Sequence, residues 1–328
     1  MRQRRANPAL SKLRASSAGP KHLVMKRIVV SGGSGYIGSA LVKHLVARGD
    51  QVTVLTRGAA HEGNPRSVTW DPYTVGDWAK ALDGADAVVH LAGERAVGAR
   101  YTEAVKRKIY DSRIVTTNNV VAALAQAATK PRVFVSASAV GYYGNRSSSE
   151  RVDESAPPGD DFLARLCVDW ETAAEKARDL GIRVINPRIG IVFGPGDGPL
   201  KVMAMPFRFF VGGKLGTGQQ GISWIHLDDA VRALTLCIDD ETLPAKVNIC
   251  SPNPASNQEI SEAIAHVLGR PNWLTAPSFG LKLLFGEGAE TILTGQFVVP
   301  GVLRKLPAGS SLFQHPGLAA ALEESLRG

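Results

Sequence analysis

Apolar and polar positions in this chain switch between two periods. Residues 26–31 hold a continuous apolar run, Ile28, Val29 and Val30, of the kind buried on both faces of a parallel sheet. From Ile37 the apolar residues Ile37, Ala40, Leu41 and Leu45 recur at helical spacing. Residues 51–56 alternate as a second strand, and 67–70 and 85–91 read as a third and a fourth. Residues 102–128 predict a long helix with Val105, Ile109, Thr116, Val120 and Leu124 along one side, followed by a fifth strand at 132–136. A polar loop over 145–161 leads into Phe162, Leu166, Trp170, Ala173, Ala177 and Leu180 at helical steps, and a sixth strand covers 182–186. Strands and helices in this alternation specify an α/β fold, a Rossmann-like, doubly wound parallel sheet. Beyond Gly198 the alternation breaks down, leaving a short strand at 246–249 and a helix at 258–268.

Between the first strand and the first helix lie Gly32, Gly35 and Gly38. In such a turn the first glycine permits a tight bend and the second lets the main chain approach a pyrophosphate. The third lets the helix pack closely on the strand, while the N–H groups and positive dipole end of the helix face the ligand. Gly32, Gly35, Tyr36, Ile37 and Gly38 are therefore assigned to a bound dinucleotide. This divides the chain into a dinucleotide-binding domain over 25–198, with returns from 222–250, and a smaller substrate lobe over 199–328. An NAD-preferring fold usually ends its second strand in a carboxylate that holds the adenosine ribose. Here Thr56 and Arg57 stand in that place. A carboxylate would repel a 2′-phosphate, whereas a guanidinium holds one with paired, charge-assisted hydrogen bonds, so the expected cofactor is NADP(H). Asp71 is placed at the adenine, with a turn ahead of Pro72 as the alternative. Leu91, Ala92, Gly93 and Glu94 end the fourth strand, Ser136 the fifth, and Pro187 and Arg188 follow the sixth, all at the carboxyl edge where a cofactor lies. His90, inside an apolar run, reads as a packed core histidine.

Composition changes the picture little. The chain has 328 residues, 44% hydrophobic and 21% charged, as in an ordinary globular protein, and no apolar stretch approaches membrane-span length. Of the net charge of +8, six come from Arg2, Arg4, Arg5, Lys12, Arg14 and Lys21, with no acid among residues 1–24, so the body is nearly balanced and no nucleic-acid groove is indicated. Residues 1–24 read as a basic tail, or as sequence ahead of a working start at Met25; an Arg- and Ser-rich transit peptide is the other option. Cys167, Cys237 and Cys250 are isolated, which fits a reducing cytoplasm and gives no metal-ligand spacing. His226, Asp228 and Asp229 do not form a metal site by spacing either, and no metal is expected. The expected partner is a small-molecule substrate, bound by a monomer or homodimer.

The turn GGSGYIG, the strand end HLAG, the stretch from Ser136 to Gly144, Arg188 with its following GP loop, and WIHLDD at 224–229 occur in the order seen in the short-chain dehydrogenase/reductase superfamily, which the chain resembles in its extended, epimerase-like branch. More narrowly it resembles the epimerase family proteins, which carry a family-specific C-terminal segment. Ala92-Gly93-Glu94, Lys106 with Ser112-Arg113, GYYG at 141–144, Cys167 with Trp170-Glu171, GEGAE at 286–290 and Gly295-Gln296 carry that likeness, and GSSLF at 309–313 departs from it.

The resemblance implies a Tyr and a Lys four residues later on the helix after the fifth strand, a Ser before it, and an Asn on the preceding helix. Aligned on Glu171, those positions hold Leu163, Cys167, Ser138 and Ser112. Leucine cannot carry a proton, and an uncharged thiol cannot do what an ammonium does to a phenol. Two readings follow. In one, an epimerase or oxidoreductase has relocated its acid/base group, with Ser138, Tyr142 and Tyr143 as catalytic candidates, Arg188 as the cation beside the tyrosines, and Glu94 and Cys167 as further candidates. Ring packing in the loop is the competing account of the tyrosines. In the other, the protein is a catalytically silent NADP(H)-binding sensor or scaffold. Lys201, Arg208 and Lys214 could meet a nucleotide-sugar pyrophosphate, though solvated surface charge explains them more simply. Met203, Met205, Phe207, Phe209, Phe210 and Trp224 are expected mainly as core.

Overall fold

The computed structural model describes residues 25–307 and 309–327. The expectations for residues 1–24 lie outside the described residues. Seven strands, β1 (Arg27–Ser31), β2 (Gln51–Thr56), β3 (Arg66–Thr69), β4 (Ala87–His90), β5 (Val133–Ser136), β6 (Arg183–Ile189) and β7 (Lys246–Ile249), form a parallel sheet in the order β7-β6-β5-β4-β1-β2-β3. This is the Rossmann-like architecture that the alternation specifies. The chain runs outward from β1 to β3 and then returns to the other side of β1 to add β4. Loops leaving β1 and β4 consequently diverge, and the crevice between them opens at the carboxyl edge.

Alternate residues of the strands serve different faces. Helices α1 (Tyr36–Ala47) and α5 (Leu227–Asp239) bury Leu41, Leu45, Leu234 and Cys237 against Ile28, Val30, Val89 and Val135. On the opposite face, α2 (Glu103–Gln126) and α3 (Phe162–Glu175) contribute Val120, Leu124 and Ala174, packed with Val29, Val88, Phe134 and Val184. A continuous Ile-Val-Val run is thus needed because neither face of β1 meets water. Both helices on this second face begin with a side-chain cap: Thr102 accepts from the N–H of Val105, and Asp161 from that of Ala164.

The structure corrects the sixth strand. β6 continues to Ile189, so Pro187 and Arg188 lie within it rather than in the loop beyond. Proline is accommodated because the ladder to β5 stops at Val135–Ile185 and pairing on that side resumes only at Ser138–Arg188. The polar loop over 145–161 is also more ordered than expected, since Arg151–Val152 pairs with Phe297–Val298.

A third apolar cluster builds the C-terminal lobe from α4 (Pro199–Arg208), α6 (Asn257–Leu268) and the helix Leu318–Arg327. Phe207 and Trp224 belong to it, whereas Met205, Phe209 and Phe210 are exposed, contrary to the core assignment. No helix among the described residues is long and apolar enough to cross a membrane.

Candidate active site

The glycine turn is built for close approach. Gly32 has φ +74°, and a Cβ there would lie 2.8 Å from the Ala92 nitrogen and the Leu91 carbonyl carbon. A Cβ on Gly38 would collide with the carbonyl oxygen of Gly32, so the helix can start this near the strand only without one. Gly35 caps α1 in an extended conformation, its N–H bonded to the Gly32 carbonyl at 3.0 Å, and the first turn of the helix leaves its N–H groups for a ligand. The side chains of Tyr36 and Ile37 serve packing instead. Ile37 joins the core beneath α1, and the buried Tyr36 hydroxyl lies under the 194–198 loop, 2.7 Å from where a Cβ of Gly194 or Gly198 would stand. Burial, with Asp228 nearby, pushes that phenol up to about 12.

Arg57 stands exposed at the end of β2, and no carboxylate among the described residues forms an ion pair with it. The neighbouring Thr56 accepts the N–H of Gly58 and lines a groove of about 600 Å³ with Gly33, Ser34, Ser39, Lys43 and His61. Ser34 and Lys43 were not selected from the sequence, although one sits inside the glycine turn and the other two helical turns beyond it. The Asp71 carboxylate accepts from the Tyr73 N–H and the Thr74 hydroxyl, each at 2.9 Å, as a turn former does. His90 is fully buried between the hydroxyls of Ser31, at 2.5 Å, and Thr116, at 3.4 Å. Burial lowers it to about 4, so it is a neutral core residue near pH 7.

At the other end of the crevice the superfamily's proton-transfer positions are filled by inert groups. Leu163 and Cys167 face the loop after β5, with the Leu163 Cβ 3.6 Å and the Cys167 sulfur 4.0 Å from a Cβ placed on Gly141. Burial, with Glu171 adding to it, pushes the Cys167 thiol up to about 12, which removes it as an acid/base candidate at neutral pH. Glu94, the other further candidate, pairs with Lys108 at 3.4 Å.

The remaining candidates separate into tied and free groups. Arg188 is 2% exposed and grips Glu171 with both arms, Nε to Oε1 at 2.8 Å and Nη2 to Oε2 at 3.0 Å. Its fork is therefore filled by a carboxylate and is not available to a cofactor. Burial alone would raise the Glu171 carboxyl, but Arg188, Lys246 and Ser138 outweigh it and hold the group below its ordinary range. Ser138 donates to Glu171 at 2.7 Å. Tyr143 has no exposed surface, donates to Asn248 at 2.7 Å and accepts from Arg188 at 3.0 Å; burial pushes it up to about 12. Tyr142 differs. Its ring lies 3.4 Å from the Arg188 guanidinium carbon and edge-on to Tyr143, it is half-buried, and its hydroxyl has no hydrogen-bond partner among the described residues. Ser136 is buried at the end of β5 with its hydroxyl unpartnered.

The C-terminal segment supports this corner from outside the sheet. Gln296 donates to the Val140 carbonyl at 2.8 Å, and Gly295 accepts from the N–H of Arg146. On the far side of the mouth Glu287 pairs with Lys106 of α2. Lys201 and Arg208 line a small cavity of about 290 Å³, but Lys201 is paired with Asp197 and Lys214 is not part of that lining, so the three do not converge. His226 meets His315 and Glu324, residues far apart in the chain, with ligand atoms within 4.8 Å. Its Nδ1 accepts from the N–H of Asp228, its buried Nε2 has no partner among the described residues, its ring overlies that of His315 at 4.0 Å, tilted 32°, and His315 Nε2 pairs with Glu324 at 2.9 Å.

With this geometry, known proteins give a consistent comparison. The NAD dependent epimerase/dehydratase family model matches residues 28–250, and a domain of unknown function, DUF1731, matches 276–325. The chloroplastic Epimerase family protein SDR39U1 homolog of Arabidopsis thaliana is 39% identical over 83% of this chain and 80% of its own. Human epimerase family protein SDR39U1, solved with NADPH, is 32% identical at a TM-score of 0.80, covering 92% of this chain and 99% of that one. A nucleoside-diphosphate sugar epimerase from Corynebacterium glutamicum is 31% identical at a TM-score of 0.75, over 92% of this chain and 58% of its own. The sheet order, the glycine turn and the matched length together mean that this chain belongs to the NAD-dependent epimerase/dehydratase family, with a DUF1731 segment at its C-terminal end.

Proposed function

We propose that the protein binds NADP(H) and acts as an oxidoreductase or epimerase on a small molecule, a nucleotide sugar or carbonyl compound, with Tyr142 as the group that carries the proton. Gly32, Gly35 and Gly38 hold the pyrophosphate, and Arg57 the 2′-phosphate. The NADPH in the human relative and the naming of the Corynebacterium neighbour as a nucleoside-diphosphate sugar epimerase support the same reading. The nicotinamide, when bound, supplies the hydride.

The observation that carries the catalytic part is the contrast between the two tyrosines. Tyr143 is locked by two hydrogen bonds, whereas the Tyr142 hydroxyl is unspent and its ring is oriented by the Arg188–Glu171 pair. A proton donor needs an unspent hydroxyl within reach of the reacting atom and a fixed orientation. Incubation of NADPH-loaded protein with a pool of carbonyl compounds is expected to oxidise the bound cofactor, or incubation of NADP+-loaded protein with a pool of nucleotide sugars to reduce the cofactor or return an epimer. Tyr142→Phe should abolish this while NADPH still binds. Equal turnover by the variant would remove Tyr142 from the role. The reading of a silent sensor or scaffold is favoured by one feature, the Ser138 hydroxyl committed to Glu171. It wins if the cofactor binds tightly and neither pool changes its redox state or yields an epimer.

A further inference from the structure

Four cations lie on α2, and three are paired. Lys106 has Glu103 and Glu287, Arg107 has Asp111 at 2.9 Å, and Lys108 has Glu94 at 3.4 Å. Arg113, further along the same helix and half-buried, forms no ion pair with any described residue. Its Nη1 donates only to the Ile109 carbonyl, at 3.2 Å, and to the Ser112 hydroxyl, at 3.4 Å, leaving Nε and Nη2 without acceptors among the described residues. The guanidinium carbon lies 5.1 Å from the centre of the Trp170 ring. A charge withdrawn from water without a partner is costly, and side chains in such a position are normally paired.

The surroundings show what the guanidinium faces. A Cβ on Gly93 would lie 3.3 Å from its carbon and 3.5 Å from both terminal nitrogens. Any other residue at 93 would therefore fill the approach, whereas exposed Gly93 leaves it open at the carboxyl end of β4. Cys167, Tyr101 and Glu94 are near enough to act on its charge; two of these are neutral at pH 7, and the third is engaged by Lys108. The proposed function places the cofactor's own anions elsewhere, the pyrophosphate at the glycine turn and the 2′-phosphate at Arg57. An anion at Arg113 belongs to a second molecule.

We infer that Arg113 is the binding residue for an anionic group, a carboxylate or phosphate, on the substrate, received through the opening at Gly93. This rests on the proposed function for the identity of the site. A planar guanidinium with two free donors, backed by an indole, suits a two-oxygen anion bound in fork geometry. The substrate class narrows to small molecules that bear a carboxylate or phosphate.

Oxalate and inorganic phosphate are suitable probes, titrated into NADPH-saturated protein and read by the fluorescence of the bound cofactor. Oxalate is expected to bind wild type saturably, at least tenfold more weakly to Arg113→Ala and Arg113→Met, and with partial recovery in Arg113→Lys. Arg113→Met, which keeps an unbranched apolar side chain in that place, serves if the alanine variant does not fold. Arg107→Ala, which removes an exposed paired cation of the same helix, should change the affinity less than twofold, and NADPH affinity should stay within twofold throughout. No saturable binding to wild type, unchanged affinity in both uncharged variants, or an equal loss in Arg107→Ala would overturn the inference. So would a tenfold loss of NADPH affinity in Arg113→Met, which would assign the guanidinium to the cofactor. Failure of wild type to bind NADPH strikes the proposed function instead; the same oxalate titration of cofactor-free protein, read by tryptophan fluorescence, still tests Arg113.

Discussion

The two ends of the crevice are built on opposite principles. The glycine turn is shaped by main chain and by missing side chains: Gly32 and Gly38 permit contacts that any Cβ would block, and Arg57 stands exposed without a carboxylate partner among the described residues. At the corner after β5, the structure is made of side chains that hold one another. Arg188, Glu171, Ser138, Tyr143 and Asn248 form one buried network, and Tyr142 is the member whose hydroxyl stays outside it. Holding a dinucleotide requires only that backbone and phosphate come together, whereas moving a proton requires a particular group with a particular freedom. The two requirements are separable, and the proposed function treats them so, since the positions where the resemblance implies a Tyr and a Lys hold Leu163 and Cys167.

The largest effect should come from breaking the main-chain end. Gly38→Ala drives a methyl group into the Gly32 carbonyl, and NADPH affinity is expected to fall by ~100-fold or more, by fluorescence titration, because strand and helix must separate. Retained affinity would mean that the turn adapts and that its closeness is not what binds.

Breaking the side-chain end should instead cost stability. Glu171→Gln leaves Arg188 buried without its charge partner, and chemical denaturation is expected to show a loss of ~3 kcal/mol at neutral pH. The sign of the pH dependence follows from the direction of the shift. The folded carboxyl titrates below its ordinary 4.5, so its contribution is complete above pH 4.5 and is lost as pH falls through the folded value. The gap between wild type and variant should therefore narrow in acid. A gap that stays constant down to the acid transition would show that the pair does not stabilise the fold in this way.

The smallest effect sharpens the comparison. Tyr142→Phe removes a hydroxyl that bonds to no described residue, so NADPH affinity should change by less than about twofold and thermal stability hardly at all. A large loss of either would place the hydroxyl in a structural role and remove the distinction from Tyr143.

The sequence shows these two ends unequally. β1, the three glycines and Arg57 lie within 31 residues of one another, so local periodicity and spacing locate that end almost completely. The other end is assembled from afar. Tyr143 reaches Asn248 across 105 positions and Val140 is held by Gln296 across 156, and no periodicity states which distant partner a polar side chain will meet. Arg188 shows the consequence: its place beside the tyrosines is legible from the strand order, but its commitment to Glu171 is not. The extension of β6 through Pro187 was hidden for a related reason. Proline argues against a continuous strand unless the gap in the neighbouring ladder is known.

The central claim is that this chain retains a cofactor site whose specificity is set by Arg57. It is tested most directly by measuring the dissociation constants of NADPH and NADH for wild type and Arg57→Ala. Wild type should prefer NADPH, and the variant should lose ~10- to 100-fold of NADPH affinity, the worth of a charge-assisted phosphate contact, while NADH binding stays unchanged. Equal affinities of wild type for the two cofactors, or an NADPH affinity indifferent to the loss of Arg57, would contradict the account.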